Sequence, residues 1–399
     1  MPYADHNATT PLDPEVEREV SRIARTRFGN PSSSYAQGRE AAVVLADARR
    51  AVAEALGARF VDEVVFTASA TESNCTALRL AAGNTVPAHR IVTTETEHAS
   101  VIATCEHLKA FQDVDVAFVP VDGDGQLTFE AFRDVAMRHP PGVVSLILAN
   151  NETGVVQDEA VVAAIGAWCR HHDVLLHLDA TQAVGKIPVD VVRLGADLLS
   201  LSAHKFYGPR GVGALWVRRE ARHRVLPLMT GGKQEMDLRA GTENVPGIHG
   251  LAVAIRRATE EDALGAYDRH VRALRDRARD QLLRLVPGAL VIGGGAARVL
   301  PNTLSVSLPG VDSRRFVRSL DEAGISVGIG SACSKGKRSR VLQAYGVPEE
   351  RERGVFRISF GKDNTVAEVD AIVAVFHRTW LRLGVSPVPE PPTLKKSQV

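Results

Sequence analysis

Short apolar runs alternate with amphipathic stretches between about Glu63 and Val217. Several of these runs are apolar at nearly every position rather than at every second one, which is typical of strands buried on both faces of a mainly parallel sheet. The pattern therefore predicts a large α/β domain with helices packed on both faces of that sheet. The runs that carry this signal lie at 63–66, 90–94, 114–121, 143–151, 174–180, 196–202 and 212–217.

The pattern changes near residue 262. Apolar residues then recur at three- and four-residue steps as far as Leu285, and Pro287-Gly288 follows, which predicts one long amphipathic helix that links two domains. Shorter apolar runs separated by helical patterns predict a smaller α+β domain after this helix. These shorter runs lie at 302–308, 325–330 and 355–361, with a helical pattern at 313–324. Segment 385–399 is rich in proline and has little to bury, so we predict a disordered tail there.

The composition of the chain argues against a nucleic-acid-binding protein and against a membrane protein. With 399 residues, 45% of them hydrophobic and 24% charged, and a formal net charge of +1, the chain falls among ordinary soluble globular proteins. A net charge near zero gives no overall attraction for nucleic acid, so we expect no direct nucleic-acid binding. No apolar stretch approaches the ~20 residues of a membrane span, and the N-terminus has no signal-peptide run.

Cysteine usage indicates a reducing compartment. The four cysteines are too sparse for a disulfide framework, and none falls in a CxxC or Cys/His spacing typical of a metal site. We therefore expect a cytoplasmic protein without a bound metal. The four residues are Cys75, Cys105, Cys169 and Cys333.

Two predicted strands end abruptly at polar residues. One ends at Asp179 with Gln182 close behind, and the other ends at Ser202, with His204 and Lys205 next. Ligands bind at the carboxyl ends of strands in open α/β sheets, so both segments indicate one crevice. A desolvated lysine there can act as a nucleophilic amine toward a carbonyl, and an aspartate can pair with a pyridinium nitrogen. The alternative is that Asp179 caps a helix and Lys205 is an ordinary loop lysine.

Two other strand ends carry candidate ligands. After the strand at 63–66, the small and hydroxyl residues Ala70, Thr71 and Ser73 open a helical pattern, which suits a phosphate at a helix N-terminus. Simple helix capping by Thr71 and Ser73 is the alternative. His98 follows the strand at 90–94, where an imidazole can stack on a flat ring or move protons. The alternative for His98 is a capping or surface histidine.

Cys333 and Arg357 complete the candidate set. Cys333 lies in a glycine-rich loop with basic residues close behind, and neighbouring positive charge favours the reactive thiolate. The other three cysteines lie in apolar helical patterns and fit buried structural positions better. Arg357 lies within an apolar run and needs a partner, which is either a substrate carboxylate or an internal ion pair. The basic residues after Cys333 are Lys335, Lys337, Arg338 and Arg340.

Taken together, these segments resemble the cysteine desulfurases, pyridoxal-phosphate enzymes of the aminotransferase class V fold type. The likeness extends from about Tyr3 to about Arg382 and rests on many motifs in the same order, which makes it far more specific than any single match. The motifs are NATTPLDPEV (7–16), GNPSSSYAQGREA (29–41), FTASATESN (66–74), ETEHASV (95–101), NNETGVVQD (150–158), HLDATQAVGKIPVD (177–190), SAHKFYGPRGVGAL (202–215), RAGTENV (239–245), GSACS (330–334) and RISFG (357–361).

The resemblance implies a fold and a domain division. The fold is that of the fold type I pyridoxal-phosphate transferases, with a seven-stranded mainly parallel sheet in the large domain and a smaller α+β domain. Residues 14–261 would form the large cofactor-binding domain. Residues 1–13 and 262–384 would form the small domain with the catalytic cysteine loop.

It also implies a role for each site residue. Lys205 would hold pyridoxal 5'-phosphate as a Schiff base, Asp179 would keep the ring nitrogen protonated, Gln182 would contact the phenolic oxygen and His98 would stack on the ring. Asn151 and Arg357 would bind the carboxylate of L-cysteine, Lys205 or His98 would move the α-proton, and Cys333 would take up the sulfur as a persulfide and release alanine. The residues implied to hold the phosphate are Ala70, Thr71, Ser202, His204 and, from a partner subunit, Thr242.

Some features depart from the family pattern. The segment after Cys333 is about two residues shorter than in the general iron–sulfur supply enzymes and is unusually basic, which favours a specialised sulfur acceptor. Tyr35 stands where related sequences more often have histidine. The resemblance implies a homodimer with a sulfur-acceptor protein in iron–sulfur assembly, tRNA thiolation or DNA phosphorothioation. The alternatives are a selenocysteine lyase or another class V lyase or transaminase, and a docking scaffold for sulfur acceptors with weak activity.

Overall fold

A computed structural model of the chain describes residues 2–83, 89–330 and 338–383. The predicted loop residue Cys333 and the predicted tail 385–399 lie outside the described residues. Within them, none of the helices combines the length and the apolar composition needed to cross a membrane.

The strands form two sheets. The strands are β1 (Tyr3–Ala4), β2 (Val64–Thr67), β3 (Arg90–Thr94), β4 (Asp115–Val119), β5 (Val143–Ile147), β6 (Leu175–Asp179), β7 (Leu198–Ser202), β8 (Gly213–Val217), β9 (Leu290–Val291), β10 (Thr303–Ser307), β11 (Ser326–Ile329) and β12 (Val355–Ser359). The larger sheet has the order β2-β8-β7-β6-β5-β3-β4, and the smaller has the order β1-β11-β12-β10-β9. Only β8 runs antiparallel to its neighbours in the larger sheet, so the predicted seven-stranded, mainly parallel sheet is confirmed.

The helices cover the sheets. They are α1 (Pro14–Thr26), α2 (Ala36–Ala55), α3 (Ala70–Leu78), α4 (Ala99–Phe111), α5 (Phe129–Arg138), α6 (Glu159–His171), α7 (Val245–Thr259), α8 (Glu261–Leu285), α9 (Ser313–Glu322), α10 (Arg340–Ala344), α11 (Glu349–Glu352) and α12 (Val366–Leu383). The long helix predicted from residue 262 is α8, and it begins one residue earlier than predicted.

The larger sheet is buried on both faces because its strands are apolar at successive positions. Leu176 and Leu178 of β6 pack in a core with α1, α2, α5, α6 and α7. Leu175 of the same strand packs in a second core with α3 and α4 on the opposite face. Alternate side chains of a strand point to opposite faces, so a run without polar positions places apolar groups in both cores.

The smaller sheet packs on one face against α8, α9 and α12. Phe356 of β12 contacts Phe316 of α9 and Phe376 of α12, with ring centroids 4.8 and 5.3 Å away. This third core shares no residue with the two cores of the larger sheet. The predicted domain division at residues 13/14 and 261/262 stays a prediction.

The short strand β1 was not predicted, and it decides where the N-terminal segment lies. Tyr3 and Ala4 pair in parallel with Ser326 and Val327 of β11. Two residues are too few to give a periodic pattern, so only their pairing partner identifies them as a strand. This pairing brings the following residues to the carboxyl ends of the strands in the larger sheet.

Gly213 in β8 lies against the backbone that enters α3. A Cβ atom at this position would lie 2.7 Å from the carbonyl oxygen of Leu201 and 2.8 Å from the carbonyl carbon of Ser69. We expect Gly213→Ala to reduce the free energy of unfolding by about 1–3 kcal/mol, because backbone atoms must move to admit the methyl group. Urea unfolding followed by tryptophan fluorescence measures this change.

Gly123→Ala is the matched control for this substitution. Its Cβ would approach nothing closer than the carbonyl oxygen of Tyr345 at 4.0 Å. We expect the stability of this variant to stay within about 0.5 kcal/mol of wild type. A Gly213→Ala variant as stable as Gly123→Ala would contradict the close approach of β8 to Ser69.

Candidate active site

A cavity of about 380 Å³ lies at the carboxyl ends of the parallel strands of the larger sheet. It is also bordered by the N-terminal segment and by Arg357 of the smaller sheet. The structure thus brings together nearly all of the residues predicted for the site from separate motifs. Those that line it are Ala70, Thr71, His98, Asn151, Asp179, Gln182, Ser202, His204, Lys205 and Arg357.

Three residues predicted for the site are not among the residues that line this cavity. Thr242 is exposed within a single chain, as a residue predicted to reach a partner subunit would be. Cys333 lies outside the described residues. Ser73, named with Ala70 and Thr71 for phosphate contact, does not line the cavity either, because its hydroxyl faces Thr67 Oγ1 at 2.9 Å on the inner side of α3.

Lys205 reaches the cavity from the single helical turn that follows β7. Its Nζ donates hydrogen bonds to the backbone carbonyls of Asn7 and Ala8, each at 2.8 Å. These carbonyls belong to the segment that β1 places here. The amine is therefore held at the cavity by neutral acceptors of the N-terminal segment.

Asp179 ends β6 as a buried carboxylate. Its Oδ2 accepts from Asn74 Nδ2 at 2.8 Å, and its Oδ1 accepts from the backbone N–H of Thr181 at 3.0 Å. Among the described residues no lysine, arginine or histidine forms an ion pair with it. A buried carboxylate that is hydrogen-bonded but not neutralised suits a cationic group bound in the cavity.

His98 is the N-cap of α4, so the capping alternative and the position at the cavity both hold. The backbone N–H of Ser100 donates to Nδ1 at 3.1 Å, and Ser100 Oγ lies 2.8 Å from the same nitrogen. Because a backbone N–H can only donate, Nδ1 is an acceptor, and the proton of the neutral ring is on Nε2. Burial lowers the pKa of His98, the Asp179 carboxylate opposes this shift and Lys205 adds to it.

The start of α3 provides backbone N–H groups near the cavity. Ser69 caps the helix by accepting from the Glu72 N–H at 3.3 Å, and the next residues, Ala70 and Thr71, line the cavity. His204 lies across from them, and its pKa falls to about 4 because of burial and of the nearby cations Lys205, Arg210 and Lys186. A helix N-terminus with a neutral histidine and hydroxyls beside it is suited to an anion.

Arg357 is paired inside the protein and also faces the cavity. Its guanidinium lies 2.6 Å from Asp5 Oδ1 and donates to the Asn151 carbonyl at 2.9 Å. Its Nε is buried and has no hydrogen-bond partner. The internal ion pair is therefore present, and these two contacts use two of the five guanidinium N–H groups.

Sequence reasoning gave no role to several residues that hold the site together. Asn7 accepts from Lys205, and Asn74 donates both to Asp179 and to Ser100 Oγ, which links Asp179 to the segment that carries His98. Asp5 pairs with Arg357. Asn7 and Asn74 lie inside motifs of the resemblance, but an asparagine in a motif gives no sign of which group it contacts.

Comparison with known proteins agrees with this geometry. The sequence profile of the aminotransferase class-V family matches residues 2–372. A cysteine desulfurase of Cereibacter sphaeroides is 44% identical over 375 residues, which are 94% of this chain and 94% of that protein.

Two solved structures superimpose closely. One described as a NifS-like protein has a TM-score of 0.86 and 36% identity, and covers 96% of this chain and 100% of its own. One described as SspA in complex with cysteine has a TM-score of 0.76 and 29% identity, and it covers 92% of this chain and 100% of its own. The chain therefore belongs to the class-V aminotransferase family and, within it, to the pyridoxal-phosphate-dependent cysteine desulfurases.

Proposed function

We propose that this enzyme converts L-cysteine to L-alanine, transfers the sulfur to Cys333 as a persulfide and passes it on to an acceptor protein. The observation that carries the proposal is the convergence of Lys205, Asp179 and His98 on one cavity. Cysteine as the substrate is supported by the related structure described as a complex with cysteine.

The residues present fit pyridoxal phosphate. The amine of Lys205 would bind its aldehyde, and the unneutralised carboxylate of Asp179 would hold the proton of its ring nitrogen. His98 would stack on the ring, and Gln182 would donate to the phenolic oxygen. When bound, the group supplies an electron sink for the carbon next to the amino acid's nitrogen.

The phosphate would lie at the start of α3. Ala70 and Thr71 would provide backbone N–H groups and a hydroxyl, and Ser202 and His204 would complete the contacts from the end of β7. The remaining contact would come from Thr242 of the partner subunit. Thr242 is exposed in its own chain, which supports this assignment.

Asn151 and Arg357 would bind the substrate carboxylate. Arg357 keeps its pair with Asp5 and has guanidinium N–H groups that neither Asp5 nor Asn151 takes, so the substrate need not displace an existing ion pair. A guanidinium matches the planar geometry of a carboxylate. This contact would place the α-carbon of the substrate beside Lys205.

Lys205 is favoured over His98 as the base that takes the α-proton. Nδ1 of His98 already accepts from the Ser100 N–H, and Nε2 carries the ring proton, so neither nitrogen has a free lone pair. The amine of Lys205, once released by the substrate, has one. His98 would instead hold the ring and the substrate in place.

Cys333 is proposed as the nucleophile on the basis of its sequence position. Its thiolate would attack the substrate sulfur, an S–S bond would form, and the C–S bond would break with its electron pair left on the carbon that becomes the methyl group of alanine. Burial raises the pKa of Cys105 to about 12 and that of Cys169 well above its usual range, so neither of these thiols suits the role.

A homodimer and a cytoplasmic location complete the proposal. Large apolar side chains are exposed just after α1, at the N-cap of α2 and within α2, namely Phe28, Tyr35 and Val43, at 77%, 57% and 60%. A second copy of the chain would cover such a surface. The acceptor would belong to iron–sulfur assembly, tRNA thiolation or DNA phosphorothioation.

Replacing the proposed nucleophile tests the persulfide step. We expect Cys333→Ala to lower alanine and sulfide release from L-cysteine, assayed with a reductant, by at least about 100-fold, because no other thiol takes the sulfur. The visible spectrum of the bound cofactor should stay unchanged. Cys75→Ala, at a half-buried cysteine of α3, is the control and should keep wild-type activity. Activity that survives in Cys333→Ala would favour a selenocysteine lyase or another class V lyase.

Replacing the proposed partner of the ring nitrogen tests the cofactor geometry. We expect Asp179→Asn to lower kcat by about 100-fold or more, because a neutral amide keeps the shape of the side chain but cannot hold the ring proton. Steady-state alanine formation at saturating cysteine, with cofactor occupancy checked by absorbance, measures the change. Asp280→Asn, at an exposed carboxylate, is the matched control. A wild-type kcat in Asp179→Asn would contradict the assigned role.

A further inference from the structure

Lys186 is a buried lysine that the proposed chemistry does not use. It follows β6 on the same turn as Gln182, and 2% of its surface is exposed. No carboxylate among the described residues forms an ion pair with it. Its Nζ donates instead to Asn7 Oδ1 at 3.0 Å and to Gln182 Oε1. Burial lowers its pKa well below the usual range, and Lys205 and Arg357 add to this effect. A buried amine without a carboxylate is costly, so its hydrogen bonds must matter to the structure around it.

The contact with Lys186 decides which way the amide of Gln182 faces. The amine of Lys186 has N–H groups to donate whether or not it is charged, and the amide oxygen of Gln182 is the atom that meets Nζ. The amide nitrogen then faces the other way and donates to the Asn7 carbonyl at 2.9 Å. This nitrogen has two N–H groups, and the Asn7 carbonyl takes one of them. If the amide were flipped, its nitrogen would face the N–H groups of Lys186, and its oxygen would face the Asn7 carbonyl oxygen, which also only accepts.

Lys186 itself does not belong to the residues that line the cavity, whereas Gln182 does. Any effect of Lys186 on a bound group therefore passes through Gln182, through Asn7 or through space. The direct hydrogen bond from Lys186 Nζ to Gln182 Oε1 favours the first route.

We propose that Lys186 is a positioning residue that holds Gln182 with its amide nitrogen toward the cofactor in the cavity. The proposal rests on the proposed function, in which Gln182 donates to the phenolic oxygen. An anionic oxygen requires a donor, and a freely rotating amide presents its own oxygen part of the time. Lys186 removes that second orientation.

A double-mutant cycle on the full-length enzyme with bound cofactor tests this role. The four proteins are wild type, Lys186→Met, Gln182→Met and the double variant, and the measurement is the pH midpoint of the visible absorbance change of the bound cofactor. Loss of a donor to an anionic oxygen disfavours the deprotonated form, so we expect Lys186→Met alone to raise the midpoint by about half a pH unit or more. In the Gln182→Met background we expect the same change to move it by less than about 0.2 unit.

Equal shifts in both backgrounds would overturn the proposal, because Lys186 would then act through Asn7, through space or through general packing. No shift in either background would overturn it as well. A wild-type enzyme that shows no cofactor band would instead overturn the proposed function, and this role with it.

Two further variants separate positioning from stability. Ile187→Val removes a buried methyl group next to Lys186 without touching Gln182, so we expect a lower melting temperature and an unchanged midpoint. Lys186→Arg keeps a side chain that only donates, and we expect it to restore most of the wild-type midpoint. If Lys186→Met does not fold, Lys186→Leu takes its place in the cycle, since its side chain cannot donate either, and the same outcomes decide.

Discussion

The hydrogen bonds of Asn7 join the two sheets at the cavity, and the site depends on them. The Asn7 carbonyl accepts from Lys205 and Gln182, which follow strands of the larger sheet. Its side chain donates to Thr303 Oγ1 of the smaller sheet at 2.9 Å, and its backbone N–H donates to Ser359 Oγ at 3.0 Å. A buried polar group costs free energy unless it is paired, so these contacts hold both sheets in one arrangement around the cavity.

The buried charged side chains around the cavity must likewise have hydrogen-bonding partners. Arg357 is balanced by Asp5, whereas Asp179 and Lys186 are met by neutral hydrogen-bonding groups. These partners satisfy hydrogen-bonding atoms without neutralising the charges. The Asp179 carboxylate, which lines the cavity, therefore remains available to a ligand that carries a cationic ring. In a dry site such charges act more strongly than they would in water.

The large elements could be predicted because their signal is local. A run such as 90–94 contains its own evidence for a strand, and β3 has those bounds. The apolar spacing after residue 262 likewise predicted α8. Two-residue strands such as β1 and β9 carry no such signal, because a strand of this length is defined only by the strand with which it pairs. Ser73 shows the limit within a helix, since its hydroxyl faces the core side of α3 rather than the cavity.

The sequence by itself determined the sheet type, the long linking helix and the set of polar residues at strand ends, because each depends on neighbours in the chain. Only the tertiary structure decided which of those residues meet and in what state. The tautomer of His98, the ion pair of Arg357 and the orientation of Gln182 each depend on a partner atom that is brought close by folding. Asp5 and Arg357 are separated by 352 positions in the chain and form one contact in the fold. Local patterns report what a segment can form, whereas hydrogen bonds between distant segments depend on the packing of the whole chain.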